Sequence, residues 1–326
     1  MRDLKTWQFV AQRLEKQQPV LLLVVVESIG SSPGRQGFKM AVAPLPPKGE
    51  IEMLGSIGGG MMEHKLVELA KEKLKTGAFE TFLKRQIHSK DAAIDQSGMI
   101  CSGEQTVLFY FFKQQDLDKI KEIIENLSSN TEGSFSLSND GFKFNKIKNN
   151  DNFKFVNQLK SWSYVEKMGF QNQLFIVGGG HCAYSLSKQM RALNNDFYIS
   201  LFDNRGELNT FLANDFPHQK KIIDYQNIAD EIPSGENVFV AIMTFGYRTD
   251  DIVLRGLLGK KVKYLGILGS ESKLQKMFFD LKNDGISEEI LNKIHAPIGL
   301  IKHAKTPEEI ALSIAAEIIN VKQLPN

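Results

Sequence analysis

Residues Leu174-Phe-Ile-Val177 run without a break into Gly178-Gly-Gly180-His-Cys-Ala183, an apolar strand that turns through three glycines into a helix. Few features constrain a fold more, because such a turn belongs at the carboxyl end of a strand in a parallel sheet. Gly178 permits the tight turn, Gly180 lets the backbone approach a pyrophosphate, and Ala183 stands where a small residue allows helix and sheet to pack closely. The helix start offers unpaired N–H groups and a positive dipole end to a phosphate, and His181 is a further candidate for that contact. Asp203 closes the next strand, 20 residues beyond Ala183, where an acid reaches ribose hydroxyls. After Gln171 strands and helices alternate: strands at Phe197–Phe202, Val238–Met243 and Tyr264–Leu268, helices at His181–Leu193, Thr249–Leu258, Ser272–Lys282 and Pro307–Val321. The alternation predicts a Rossmann-like domain with a parallel sheet over 166–326.

Residues 1–165 read as a second, N-terminal α/β domain. An amphipathic helix over Leu4–Lys16 precedes Val20-Leu-Leu-Leu-Val-Val-Val26, whose unbroken apolar run predicts a strand buried on both faces. Further strands are expected at Phe38–Ala43, Ile51–Ser56, Phe79–Gln86 and Thr106–Phe112, with helices at Met61–Thr76 and Leu117–Leu127. From about 115 the chain reads as a loop-rich connector, heavy in Asn, Ser, Gly and Lys. Within it Phe135, Phe142, Phe144, Phe153 and Phe155 are candidates for small edge strands.

Two N-terminal segments carry chemistry. Gly58, Gly59 and Gly60 precede a helix and put bare backbone N–H groups in reach of a phosphate or a flat polar ring. Ser31, Ser32, Arg35 and Lys39 add donors, Arg35 suiting a bidentate phosphate contact and Lys39 a point charge. Cys101 lies in the glycine-bounded loop Ser97-Gly-Met-Ile-Cys-Ser-Gly103, and a thiolate there is the soft ligand a transition metal takes. No Ser-His-Asp arrangement can be assembled, and the Asp250-Asp251 pair reads as a helix start.

Composition narrows the classes. A net charge of +2 argues against a nucleic-acid partner. Two cysteines, Cys101 and Cys182, make no disulfide framework and suit a reducing cytoplasm. The start lacks the apolar core of a signal peptide, and the longest apolar run, seven residues, falls far short of the roughly 20 that span a bilayer. The expectation is a soluble, cytoplasmic protein with no membrane partner.

Read together and in order, these motifs resemble the XdhC family, the accessory proteins of xanthine dehydrogenase and related molybdenum hydroxylases. The resemblance rests on Gly30-Ser-Ser-Pro33 through Lys39-Met40, Gly55-Ser-Ile-Gly-Gly-Gly60 with Glu63, and Met99-Ile-Cys101-Ser-Gly103. It continues through Gly178-Gly-Gly180-His181, Asp203-Asn-Arg205, Met243-Thr244 with Asp250, Gly266-Ile-Leu-Gly-Ser270, Ile294-His-Ala-Pro-Ile-Gly-Leu300 and Ala304-Lys-Thr-Pro-Glu-Glu-Ile-Ala311. It implies a chaperone, not a catalyst, that binds the molybdenum cofactor (molybdopterin), shelters it during sulfuration and passes it on. The implied partners are an apo-hydroxylase of the xanthine dehydrogenase type, a cysteine desulfurase-type sulfur donor and a second copy of the chain in a homodimer. The family's key cysteine lies in a Cys-Gly-Gly motif; here Cys101 matches, followed by Ser102 and Gly103. On this reading Cys101 contacts molybdenum or its transferable sulfur, and the turn at 58–60 with Arg35 and Lys39 holds the phosphate. The Rossmann turn takes the cofactor's phosphate, NAD or another nucleotide. The alternative is an NAD-dependent oxidoreductase, with Asp203 favouring NAD over NADP.

Overall fold

The computed structural model describes residues 3–45, 50–87, 103–129, 131–146, 151–193 and 197–324. The chain divides into two compact units, Met1–Gly169 and Phe170–Asn326.

The first unit is built on an antiparallel sheet of β1 (Leu21–Ile29), β2 (Lys39–Leu45), β3 (Glu50–Gly55), β4 (Phe82–Ile87) and β5 (Glu104–Phe111), in the order β3-β2-β1-β5-β4. The run in β1 is apolar throughout because both faces are covered. Leu22, Val24 and Val26 pack with Trp7, Val10 and Leu14 of helix α1 (Leu4–Glu15). Leu21, Leu23 and Val25 pack with Met62, Leu66 and Ala70 of helix α2 (Gly60–Thr76). Helix α3 (Leu117–Ser128) joins the α1 side through Ile120, Ile123 and Leu127.

The segment after α3 is not a connector. Strands β6 (Gly133–Ser138), β7 (Gly141–Asn145), β8 (Phe153–Gln158) and β9 (Ser161–Met168) form an antiparallel sheet in the order β7-β6-β9-β8. Phe135, Leu137, Phe142, Tyr164 and Met168 from it enter the core around Trp7. In β6 and β7 apolar and polar residues alternate, but in β8 and β9 Asn157 and Glu166 break the pattern, and the Asn- and Ser-rich turns between dilute it further.

The second unit carries a parallel sheet of β10 (Asn172–Val177), β11 (Phe197–Asp203), β12 (Gln219–Ile222), β13 (Gly235–Ile242) and β14 (Val262–Ile267), ordered β12-β11-β10-β13-β14. Short helical turns α5 (Asn209–Leu212), α6 (Ile228–Glu231) and α9 (Glu288–Leu291) lie among longer helices. Helices α4 (His181–Ala192) and α10 (Pro307–Gln323) cover one face; α7 (Tyr247–Leu257) and α8 (Glu271–Asn283) cover the other. Strand order reverses between β10 and β13, and such a reversal opens a crevice at the carboxyl ends of the strands. Helix α10 begins with a capping box: Thr306 Oγ1 accepts from Glu309 N at 3.2 Å, and Glu309 Oε2 accepts from Thr306 N at 3.1 Å. No helix among the described residues is long and apolar enough to cross a membrane.

Candidate functional site

Three separated segments of the first unit meet at Gln105, 1% exposed at the start of β5. Its Oε1 accepts from Ser32 Oγ at 2.8 Å and from Gly34 N at 3.1 Å, both in the β1–β2 loop. Its Nε2 donates to Met62 Sδ at 3.1 Å, in the first turn of α2. The glycines are where these segments touch. A Cβ on Gly34 would run into the carbonyl of Ile57 and the Gln105 side chain. One on Gly58, at φ +130, would stand 2.5 Å from Gly34 N, and one on Gly103 2.5 Å from the Ser31 carbonyl carbon. Backbone therefore packs on backbone at each crossing, which only glycine allows. The loop bearing Arg35 and the turn 58–60 are thus brought together with Gly103, which immediately precedes β5 and lies two residues after Cys101 in sequence. Cys101 itself lies outside the described residues.

The glycine turn is not open to a phosphate in the way its sequence suggests. Glu63 Oε2 accepts from Ser56 Oγ at 2.7 Å, Ile57 N at 2.8 Å and Gly59 N at 2.9 Å. Gly58 N donates to Ser56 Oγ at 3.2 Å. A carboxylate of the chain itself fills the nest an external anion would take. Of the three glycines, Gly60 has no such side-chain acceptor among the described residues.

Lys39 is likewise not free to meet a phosphate. It is 4% exposed, and its Nζ donates to Asp3 Oδ2 at 2.9 Å, Glu166 Oε1 at 2.5 Å and the Gly37 carbonyl at 2.8 Å. Tyr164 OH donates to the other Glu166 oxygen at 2.7 Å. An ammonium held by three acceptors inside the fold makes no point charge for a ligand. Burial works to lower the Lys39 pKa, but the Asp3 and Glu166 carboxylates raise it on balance. Burial pushes the Glu166 carboxyl up to about 7, against the pull of Lys39 and with the help of the Asp3 charge. Arg35, by contrast, is exposed and among the described residues reaches only the Gly30 carbonyl, at 3.4 Å. Its guanidinium has donors to spare for an anion.

In the second unit the turn Gly178–Gly180 sits at the crevice. Gly178 N donates to the Phe202 carbonyl at 2.7 Å, and a Cβ there would strike the backbone of Met243. Gly179 N donates to Asp203 Oδ2 at 2.6 Å. Asp203 is fully buried, and its Oδ1 also accepts from Arg205 N at 2.8 Å and Nε at 2.9 Å, its Oδ2 from Arg205 Nη2 at 2.9 Å. Burial disfavours its charge, but these donors prevail and hold the carboxyl below its ordinary range. With its lone pairs so committed, Asp203 does not present itself to ribose hydroxyls; it ties the glycine turn to Arg205. His181 is exposed at the head of α4, beside Gly180.

Two residues of the sequence motifs, Asp250 and His295, complete this rim through partners that their local sequence does not reveal. Asp250 is fully buried; its Oδ1 accepts from Thr244 N at 3.1 Å and Thr244 Oγ1 at 2.6 Å, and its Oδ2 is paired with Lys273. That is more than helix capping: it fixes the loop after β13. His295, whose segment bridges in parallel to Gly266 of β14, has its Nδ1 3.0 Å from Glu317 Oε1. Glu317 Oε2 accepts from Tyr264 OH at 2.5 Å and Gly299 N at 2.8 Å. This cluster pins residues 295–299 to α10.

Fold and site define a two-unit α/β protein: an antiparallel unit with a glycine-crossed loop site, followed by a Rossmann unit. The second unit matches the XdhC Rossmann domain over residues 174–318, and the first matches the XdhC and CoxI family over 13–84. These matches together cover more than half of the chain, and it belongs to the XdhC family. Arg35 and the turn 58–60 fall inside the matched residues; Cys101 lies beyond them.

The uncharacterized protein YqeB of Escherichia coli (strain K12) is 24% identical over 316 residues, covering 96% of this chain and 45% of the relative. The chain thus spans less than half of that relative's length. A probable xanthine dehydrogenase subunit of Bacillus subtilis (strain 168) is 28% identical over 82 residues, 25% of this chain and 23% of that one. A Bacillus halodurans crystal structure, named as a xanthine dehydrogenase, shares the fold with a TM-score of 0.72 at 20% identity, covering 99% of this chain and 96% of the other.

Proposed function

We propose that this chain is an accessory protein that binds the molybdenum cofactor, supports its sulfuration and delivers it to a molybdenum hydroxylase of the xanthine dehydrogenase type. The observation that carries the reading is the convergence at Gln105, which sets the Arg35 loop beside Gly103, two residues from Cys101 in sequence. Membership of the XdhC family and the partial likeness to a probable xanthine dehydrogenase subunit support it.

The residues fit the group selectively. Arg35 is exposed and would hold the phosphate tail through its fork of N–H donors. The turn 58–60 would not, because Glu63 occupies it. The Cys101 thiolate would reach molybdenum or the sulfur destined for it, soft ligand to soft metal. When bound, the cofactor supplies the metal centre on which the sulfur is installed; the chain binds, orients and shelters it. An apo-hydroxylase and a cysteine desulfurase-type sulfur donor are the partners this role requires, in the cytoplasm, with a homodimer as the working form. The NAD-dependent oxidoreductase reading loses its main support, since Asp203 is engaged by Gly179 and Arg205.

The test is anaerobic co-elution of molybdenum and pterin with the purified protein, wild type against Arg35→Ala. A hydrogen bond to a charged group contributes about 1.5–3 kcal/mol, so affinity should fall about tenfold or more. Equal binding by the two proteins would remove Arg35 from the site.

A further inference from the structure

Gln86, near the end of β4, carries a buried amide with nothing to bond to. It is 4% exposed, and its Oε1 has no hydrogen-bond partner among the described residues. Folded chains rarely hold such a group, because a carbonyl taken from water and left unpaired loses the bonds that water gave it. Turning the amide over does not help, since an unpaired N–H would then be buried in place of the oxygen.

The register of the sheet sets this amide beside the convergence at Gln105. Gln86 lies directly opposite Gln105 in the β4–β5 pair, so the two side chains leave the same face of the sheet with Cβ atoms about 5 Å apart. Ser32, Gly34 and Met62 meet Gln105 on that face. Gln105 is fixed, because its Oε1 accepts from Ser32 Oγ at 2.8 Å and Gly34 N at 3.1 Å. Its Nε2 spends one hydrogen on the Met62 sulfur, a weak acceptor, and the second has no partner among the described residues. Two neighbouring amides thus offer an acceptor and a donor side by side. That pair complements a lactam edge, in which a ring N–H stands next to a ring carbonyl.

We infer that Gln86 is a specificity residue of the first unit's site: its Oε1 accepts from the ring N–H of a lactam-edged heterocycle, whose ring carbonyl takes the remaining donor of Gln105. The inference rests on the cofactor reading above, in which that heterocycle is the pterin. Gln86 serves to select the ring and is spared any part in holding the fold.

The probes are free pterin and its diaminopteridine analogue, which carries an amino group in place of the ring carbonyl and lacks the adjacent ring N–H. Neither bears metal or phosphate, so Arg35 and Cys101 have no part in the result. The full chain is titrated calorimetrically as wild type and Gln86→Met, a change that keeps the side chain's length and removes the orphaned oxygen. Pterin should bind the wild type, and Gln86→Met should weaken it about five- to tenfold, the worth of one hydrogen bond. The analogue should bind the wild type at least about fivefold more weakly than pterin, because its amino group meets the fixed donor of Gln105. Gln86→Met should melt at or above the wild-type temperature, since an unpaired buried acceptor is gone. A purely structural glutamine would instead lower the melt. No pterin binding by the wild type, binding indifferent to Gln86→Met, an analogue that binds as well as pterin, or a clearly lower melt would overturn the inference. Such a failure leaves the cofactor reading intact where molybdenum still co-elutes with the wild type. Gln86-dependent pterin binding without molybdenum would keep the slot and remove the sheltering role.

Discussion

Lys39→Met is expected to destabilise the protein by about 3–5 kcal/mol, the usual cost of removing one partner of a buried ion pair. The balance of charge is the reason. Two carboxylates, Asp3 and Glu166, flank a single ammonium, and Lys39 and Glu166 are 4% and 6% exposed. Methionine fills a similar volume and leaves both acids without a cation. Lys39 also holds the Gly37 carbonyl at 2.8 Å, so the same variant loosens the loop bearing Arg35.

Urea denaturation gives the size, and its pH dependence gives the cause. The Glu166 carboxyl is raised in the fold, from 4.5 to about 7. A raised pKa contributes stability that is fully present below the unfolded value and is lost as pH rises through the folded one. Stability from this group therefore declines between about pH 4.5 and 7. Glu166→Gln should flatten the pH profile over that window. The Lys39→Met deficit should widen as pH is raised above about 7, where Glu166 ionises beside Lys39 in the wild type and has no cation in the variant, and adding Glu166→Gln should restore part of the loss. A Lys39→Met variant as stable as wild type, at any pH in the window, would mean the cluster is not what holds β2, β9 and the start of α1 together.

The second large effect is expected at Gly58. Its φ of +130 is a backbone state that side chains rarely adopt, and its Cβ would come within 2.9 Å of three backbone atoms of Pro33 and Gly34. Strained backbone costs about 1–3 kcal/mol and overpacking about 1–3 kcal/mol more. Backbone cannot rotate away as a side chain does, so Gly58→Ala should cost about 3 kcal/mol or more. Gly59→Ala is the control: it shares a positive φ of +74 but meets nothing within 4 Å. Both melts should fall, Gly58→Ala by clearly more; equal shifts would show that conformation alone sets the cost and that the crossing at Gly34 does not.

Much of this is legible in the sequence where a pattern is local. The Rossmann unit follows from strand, glycines and helix succeeding one another between Leu174 and Ala183. The apolar run of β1 marks a strand covered on both faces. Chemistry that depends on distant partners is not legible. Lys39 reads as a ligand donor because its partner Glu166 lies 127 residues away, in a segment that reads as a connector. The turn 178–180 reads as open because nothing local says that Asp203, 24 residues away, folds back into it; at 58–60 the partner Glu63 is only four residues from Gly59, but its residue type alone does not say which way its carboxylate turns. Gln105 gives no signal at all, being an ordinary polar residue at the start of a strand. The order of the glycine motifs is visible, but not the crossings that make each glycine necessary.

The most direct measurement is anaerobic binding of molybdenum cofactor by wild type and Cys101→Ala, read as molybdenum and pterin co-eluting with the protein. The account predicts stoichiometric co-elution with wild type and loss of most of it with Cys101→Ala, while both proteins melt alike. Equal cofactor on the two proteins, or none on the wild type, would contradict it.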